Sequence, residues 1–210
     1  MMNDVLRPFI DSFVVVYLDD ILIFSKTWDE HLQHVEQVIS MLQQHKPYAN
    51  REKCSFGLKR IQYLGYIVDN RGVHVDPAKI QLIRDWPSPT NITDLRTFLG
   101  LANFYHKFVL GFSHLTWPMN QVLRGGSKAK FVWTKAQERA FEGLKSRLCS
   151  APVLALLDLQ QPFEIETNAS DYAIGAVLMQ HGHLVAYHSK TFSYTVYCYL
   201  TYDKEMYVIV

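Results

Sequence analysis

Two apolar runs broken by an acidic pair constrain this chain more than any other feature. Ser12 to Tyr17 reads SFVVVY, β-branched and aromatic on both faces, the mark of a strand buried on both sides. Leu18-Asp19-Asp20 interrupts the run, and Ile21 to Phe24 resumes it. Strand, tight acidic turn, strand is a hairpin, with Asp19 and Asp20 at its tip. Adjacent carboxylates are electrostatically costly in such a place unless a cation sits between them. Hard divalent ions with oxygen ligands are the usual partners, and a pair of them is a device of phosphoryl transfer. An isolated Asp-Asp is most often a solvated turn. The apolar runs on either side argue against that here.

The rest of the chain divides by texture. Thr27 to Glu30 is a capping box, and the helix it opens carries Leu32, Val35, Ile39 and Leu42 at helical spacing before stopping ahead of Pro47. Tyr63 to Val68 (YLGYIV) reads as a strand, followed by a turn at 69–72 and a second strand over Val73 to Val75. Asp76-Pro77 starts a helix, with aspartate as cap and proline in the first turn, and Trp86-Pro87-Ser88-Pro89 ends it. Asn91 to Asp94 opens the next helix, whose Leu95, Phe98, Leu99, Ala102 and Tyr105 form one apolar stripe. A further helix runs through Leu115, Met119 and Val122, and Gly125-Gly126-Ser127 is the clearest linker. Thr134 to Gln137 repeats the capping box ahead of Ala140, Phe141, Leu144 and Leu148. Beyond Pro152, Phe163 to Thr167 alternates like a strand with one wet face. Ala173 to Gln180 and Leu184 to Ser189 then make a β-meander turning at 181–183, and Tyr202 onward reads helical. The fold class is α+β.

Composition sets the outer bounds. With 49% hydrophobic and 20% charged residues in 210, the chain is globular rather than disordered. A net charge of +1 does not advertise a nucleic-acid binder, but a groove needs only a local basic stripe. Lys46, Arg51, Lys53, Lys59 and Arg60, interleaved with Tyr48, Phe56 and Tyr63, supply one. Three scattered cysteines form no CxxC pair, which points to an intracellular, reducing compartment and away from structural zinc. The longest apolar run is too short to span a bilayer, and no signal peptide opens the chain, so no membrane partner is expected. His31 and His34, and the looser group His181, His183 and His188, lack the cysteines or carboxylates that would complete a tetrahedral metal set.

The stretch FVVVYLDDILIFS over residues 13–25 resembles the catalytic hairpin of reverse transcriptases, in the form found in gypsy-type LTR retrotransposon Pol polyproteins. His31, Leu32 and Val35 resemble that family's following helix, and Lys53 to Phe56 with Tyr63 to Tyr66 resemble its later palm strands. Leu95 to Tyr105 is similar to its thumb, while Phe163 to Ser170 and Tyr202 to Met206 resemble the first strand and first helix of its RNase H. The resemblance implies a palm C-terminal part over 1–76, a thumb over 77–126, a connecting helix over 127–157 and a truncated RNase H-like domain over 158–210. It implies Asp19 and Asp20 as catalytic ligands of Mg2+ or Mn2+, and Tyr17 beneath the primer terminus. Leu64, Gly65 and Tyr66 would hold the primer strand, with Arg96 and Lys107 on phosphates. The expected partners are an RNA/DNA template-primer duplex, a dNTP and the N-terminal half of the polymerase.

Two departures from the family pattern limit what the chain is expected to do alone. The family's third polymerase carboxylate lies upstream of this sequence, and Asn168 stands where its RNase H has a first catalytic aspartate, leaving Glu205 as one remnant of a degenerate metal site. The expectation is therefore a reverse transcriptase/RNase H fragment without turnover of its own. The alternatives are a non-catalytic duplex-binding remnant and a structural relic.

Overall fold

The computed structural model describes residues 2–10, 12–45, 50–124, 131–170, 172–199, 202–204 and 206. The chain forms two compact units, residues 1–59 and 60–210. In the first, helix α1 (Met2–Val5) precedes strands β1 (Val14–Tyr17) and β2 (Asp20–Ile23), and helix α2 (Trp28–His45) follows. The hairpin pairs Val14 with Ile23, Val15 with Leu22, Val16 with Ile21 and Tyr17 with Asp20. Directly opposed residues share a face. Val14, Val16, Ile21 and Ile23 pack with Leu6 and Val38 into a small core. The other face is open: Val15 is 42% and Tyr17 56% exposed. The expectation of burial on both sides thus fails for β1, because a β-branched run records apolar character and not whether a second layer covers it.

The reciprocal bonds of the Thr27–Glu30 capping box open α2 at 3.0 and 3.3 Å. Its buried stripe is rotated from the expected one. Val38 is fully buried and Val35, Met41 and Leu42 partly so, whereas Leu32 and Ile39 are exposed. Pro47 and Tyr48 lie outside the described residues.

In the second unit, β3 (Arg60–Tyr63), β4 (Tyr66–Asp69) and β5 (Gly72–Val75) form an antiparallel meander. The segment YLGYIV is therefore not one strand. Leu64 and Gly65 make a two-residue turn with φ of 49° and 77°, the left-handed pair that matches strand twist in a tight hairpin. Helices α3 (Pro77–Arg84), α4 (Ile92–Phe104), α5 (Phe112–Arg124) and α6 (Lys135–Cys149) follow. The N-termini of α3, α4 and α6 are capped by the side chains of Asp76, Asn91 and Thr134. One core gathers Leu95, Phe98, Ala102, Tyr105, Phe108, Met119, Phe141, Leu144 and Leu148, with Tyr66, Val73 and Val75 packed into it. Because the strands share that core with the helices, the division between units falls after Lys59, inside the stretch expected as palm. Gly125 to Ser127 lie outside the described residues.

A last antiparallel sheet runs β6 (Glu164–Ala169), β7 (Ala173–Gln180) and β8 (His183–Thr191), and a short helix, α7 (Tyr194–Tyr197), follows. The Ser113 amide at the start of α5 donates to Ser189 Oγ on β8 at 2.8 Å, fastening this sheet to the helices. β6 is exposed on both faces up to Ala169, where one dry face was expected. Of β6's two edges only one is paired among the described residues, with β7. Among the described residues no helix is long and apolar enough to cross a membrane.

Candidate nucleic-acid and metal site

The β1–β2 hairpin closes through Leu18 and Asp19, with Leu18 at φ 53°. A positive φ on a γ-branched residue is sterically costly, and Leu18 points into solvent with most of its side chain exposed. The strained turn sets Asp19 at the apex and makes Asp20 the first residue of β2, opposite Tyr17. Both carboxylates are exposed. Asp20 and Tyr17 share the open face with Val15 and Leu22, so one carboxylate stands at the end of an uncovered apolar strip. The turn's oxygens suit a hard cation in kind. They do not suffice in number: among the described residues no group of three or more His, Cys, Asp and Glu side chains is placed to hold an ion.

The Leu64–Gly65 turn is built differently, as a docked element. Tyr66 donates its hydroxyl to the Phe104 carbonyl at 3.0 Å, and its ring stacks on Phe104 with centroids 4.9 Å apart. Tyr105 donates its hydroxyl to the Gly65 carbonyl at 2.8 Å. Burial, aided by the Asp76 charge and Tyr66, pushes the Tyr105 phenol up to about 12, so it stays a donor at neutral pH. A Cβ on Gly65 would meet the Phe104 ring at 3.2 Å, which makes the backbone's close approach depend on glycine.

The two cations expected on phosphates differ sharply. Arg96, on α4, is exposed. Lys107 is half-buried, with its ammonium 3.9 Å from the centre of the Tyr66 ring, and desolvation lowers its pKa. A cation already held over an aromatic face is a poor free arm for phosphate. Of the basic stripe, Lys53, Lys59 and Arg60 are exposed, as is Phe56, while Lys46 lies outside the described residues.

Asn168 sits on β6 opposite Gly175 and shares its face with Glu166 and Glu164. All three are exposed. Glu205 lies outside the described residues. Sequence reasoning missed Phe104 and Tyr105 as partners of the turn. Their only local signal is an adjacent aromatic pair at the end of a helix, which reads equally well as core.

A family model described as reverse transcriptase (RNA-dependent DNA polymerase) matches residues 1–68. Another, described as an RNase H-like domain found in reverse transcriptase, matches residues 133–210. The chain is 34% identical over 223 residues to a retrovirus-related Pol polyprotein from transposon opus of Drosophila melanogaster, covering 100% of this chain and 22% of that protein. It is 36% identical over 213 residues to the transposon Tf2-3 polyprotein of Schizosaccharomyces pombe, covering 99% and 16%. Among solved structures, a foamy viral protease-reverse transcriptase in complex with RNA/DNA hybrid matches with a TM-score of 0.87 at 25% identity, over 99% of this chain and 28% of that one. The same viral enzyme in complex with dsDNA matches with a TM-score of 0.83, over 99% and 44%. The chain spans about a fifth of the length of the Drosophila polyproteins it matches. Along its whole length the chain is similar to the Pol polyproteins of LTR retrotransposons, as a segment carrying reverse transcriptase sequence followed by RNase H-like sequence.

Proposed function

We propose that this segment contributes the metal-binding hairpin and part of the duplex grip of a gypsy-type RNA-directed DNA polymerase, and that it grips duplex without turnover when alone. The observation that carries the reading is the Asp19–Asp20 pair on the strained, exposed tip of the β1–β2 hairpin. Asp19 and Asp20 would hold Mg2+ or Mn2+, which when bound supplies charge neutralisation at a transferring phosphoryl group. Two carboxylates are an incomplete clamp, so the remaining ligands, and the groups that bind a dNTP, come from other Pol sequence, including the polymerase's N-terminal half. Tyr17 and the open face of β1 lie beside Asp20, and this placement supports a role beneath the primer terminus. The Leu64–Gly65 turn offers backbone to the primer strand, with Tyr66 fixing it from behind. Arg96 is the side chain best disposed to reach a phosphate. On the RNase H-like sheet, Asn168 supplies a neutral amide where metal-dependent hydrolysis needs a carboxylate, which supports an absence of RNA cleavage. Its free thiols, Cys54 and Cys198 both exposed, suit a reducing intracellular setting.

Primer extension on a primed RNA template with magnesium or manganese, beside Asp19→Asn, tests the reading together with a salt titration of duplex binding. The expected result is no extension by either chain and an affinity that falls steeply with salt. Extension lost in Asp19→Asn would disprove inactivity alone. Absence of binding at low salt would disprove the grip.

A further inference from the structure

The end of α4 and the Leu64–Gly65 turn exchange hydrogen bonds in both directions. Tyr105 gives its hydroxyl to the Gly65 carbonyl at 2.8 Å, and Tyr66 gives its hydroxyl back to the Phe104 carbonyl at 3.0 Å. The Phe104 ring closes the space above Gly65 and stacks on Tyr66, and Lys107 covers the Tyr66 ring. A two-residue turn with both φ positive is stiff within itself. Its own ladder does not fix its position against the helices forty residues away. Among the described contacts to the turn's backbone, one hydrogen bond comes from a side chain outside the hairpin, and it is the one from Tyr105. Tyr105 is 1% exposed, so its ring belongs to the core, meeting the Tyr66 ring edge-on, and its hydroxyl reaches the turn's backbone.

We infer that Tyr105 is a positioning residue for the Leu64–Gly65 turn, setting the place at which the turn's backbone meets a nucleic-acid duplex. The second half of the inference rests on the duplex-gripping reading above. The first half does not. The two halves therefore separate in the laboratory.

Tyr105→Phe keeps the ring and removes only the hydroxyl. Hydrogen exchange of the 210-residue chain would be followed at residues 63–66, with the α6 segment as internal reference. A neutral hydrogen bond is worth about 0.5–1.5 kcal/mol net, so exchange at the turn is expected to quicken about two- to tenfold while α6 is unchanged. Affinity for a short RNA–DNA hybrid should weaken by a similar factor. The salt slope should be unaltered, because no charge is removed. Unchanged exchange at 63–66 overturns the positioning role. Faster exchange with unchanged affinity overturns the link to the duplex. If the unaltered chain binds no hybrid, the grip is refuted, and the exchange result still decides whether Tyr105 positions the turn. A fall in protection spread equally over α6 would mark Tyr105 as core alone.

Discussion

Replacing Gly65 with alanine tests the turn from its backbone. Gly65 has φ +77°, and an added Cβ would stand 3.2 Å from two carbons of the Phe104 ring and 3.8 Å from the Tyr105 hydroxyl. The left-handed conformation costs an L-residue about 1–2 kcal/mol. Crowding adds up to about 1 kcal/mol, at the low end for overpacking because Phe104 is 45% exposed and its ring is able to yield. Alanine also narrows the unfolded ensemble, returning about 0.4–1 kcal/mol. The net expectation is a loss of about 1–2 kcal/mol, or roughly 2–8 °C in melting temperature for a unit of this size. Gly100, in the middle of α4, is the matched control. Nothing lies within 4 Å of its added Cβ, so Gly100→Ala should gain about 0.5–1 kcal/mol as helix propensity improves. Circular-dichroism melts and urea titrations of the two variants should therefore move in opposite directions. A Gly65→Ala chain as stable as the unaltered one, or more so, would remove backbone conformation as the reason for glycine there.

Other substitutions probe the core, the charges and the pH response. Phe141, fully buried with its ring 4.6 Å from that of Phe98, should cost about 3–5 kcal/mol as alanine in urea unfolding; a loss below about 1 kcal/mol would contradict its central place. Arg96→Ala should lower the slope of log affinity against log salt by about 1, whereas Lys107→Ala should change it by less, because the Lys107 ammonium is held over Tyr66; equal changes would refute the distinction. The His74 bond to Asp69 at 2.8 Å is the main cause that lowers the Asp69 carboxyl to about 2. A depressed folded-state pKa stabilises above the ordinary value of 3.8 and loses that contribution as pH falls through about 2. Unfolding titrations should therefore find the unaltered chain more stable than Asp69→Asn at mildly acidic pH, with the gap closing as pH drops toward about 2. A gap independent of pH would assign the effect to something other than the carboxylate's charge.

What was legible in the sequence was local. The caps of α3, α4 and α6 were readable because Asp76, Asn91 and Thr134 satisfy amides two or three residues away. The acidic tip was readable because a hairpin is also a local object. The Leu64–Gly65 turn was misread as strand because Tyr63, Tyr66, Ile67 and Val68 carry strand character on both sides of it. Only the glycine hinted otherwise. The rotation of α2's buried stripe toward Val38 depends on where the hairpin lies against the helix, which the 3.6-residue period does not encode. The bond from Tyr105 to Gly65 spans forty residues, and nothing near either residue announces it.

The two strands whose burial was overestimated, β1 and β6, are also those that carry or adjoin the candidate metal positions. Val15 and Tyr17 lie open beside Asp20, and Phe163 and Ile165 lie open on the segment that bears Asn168. Strand composition reflects what covers a face in the whole protein, and this chain aligns with about a fifth of its Drosophila relatives. An apolar face that is uncovered here is therefore informative: under the proposed function, it is the side of the hairpin on which other Pol sequence would complete the ligand set of Asp19 and Asp20. The α4–turn junction is the opposite case. Its partners, Gly65, Tyr66, Phe104, Tyr105 and Lys107, all lie in one compact unit, so its described contacts are all made within this chain. The proposed lack of turnover alone and the proposed duplex grip are for that reason compatible: the first would depend on faces uncovered here, the second on a junction whose described contacts lie within one unit.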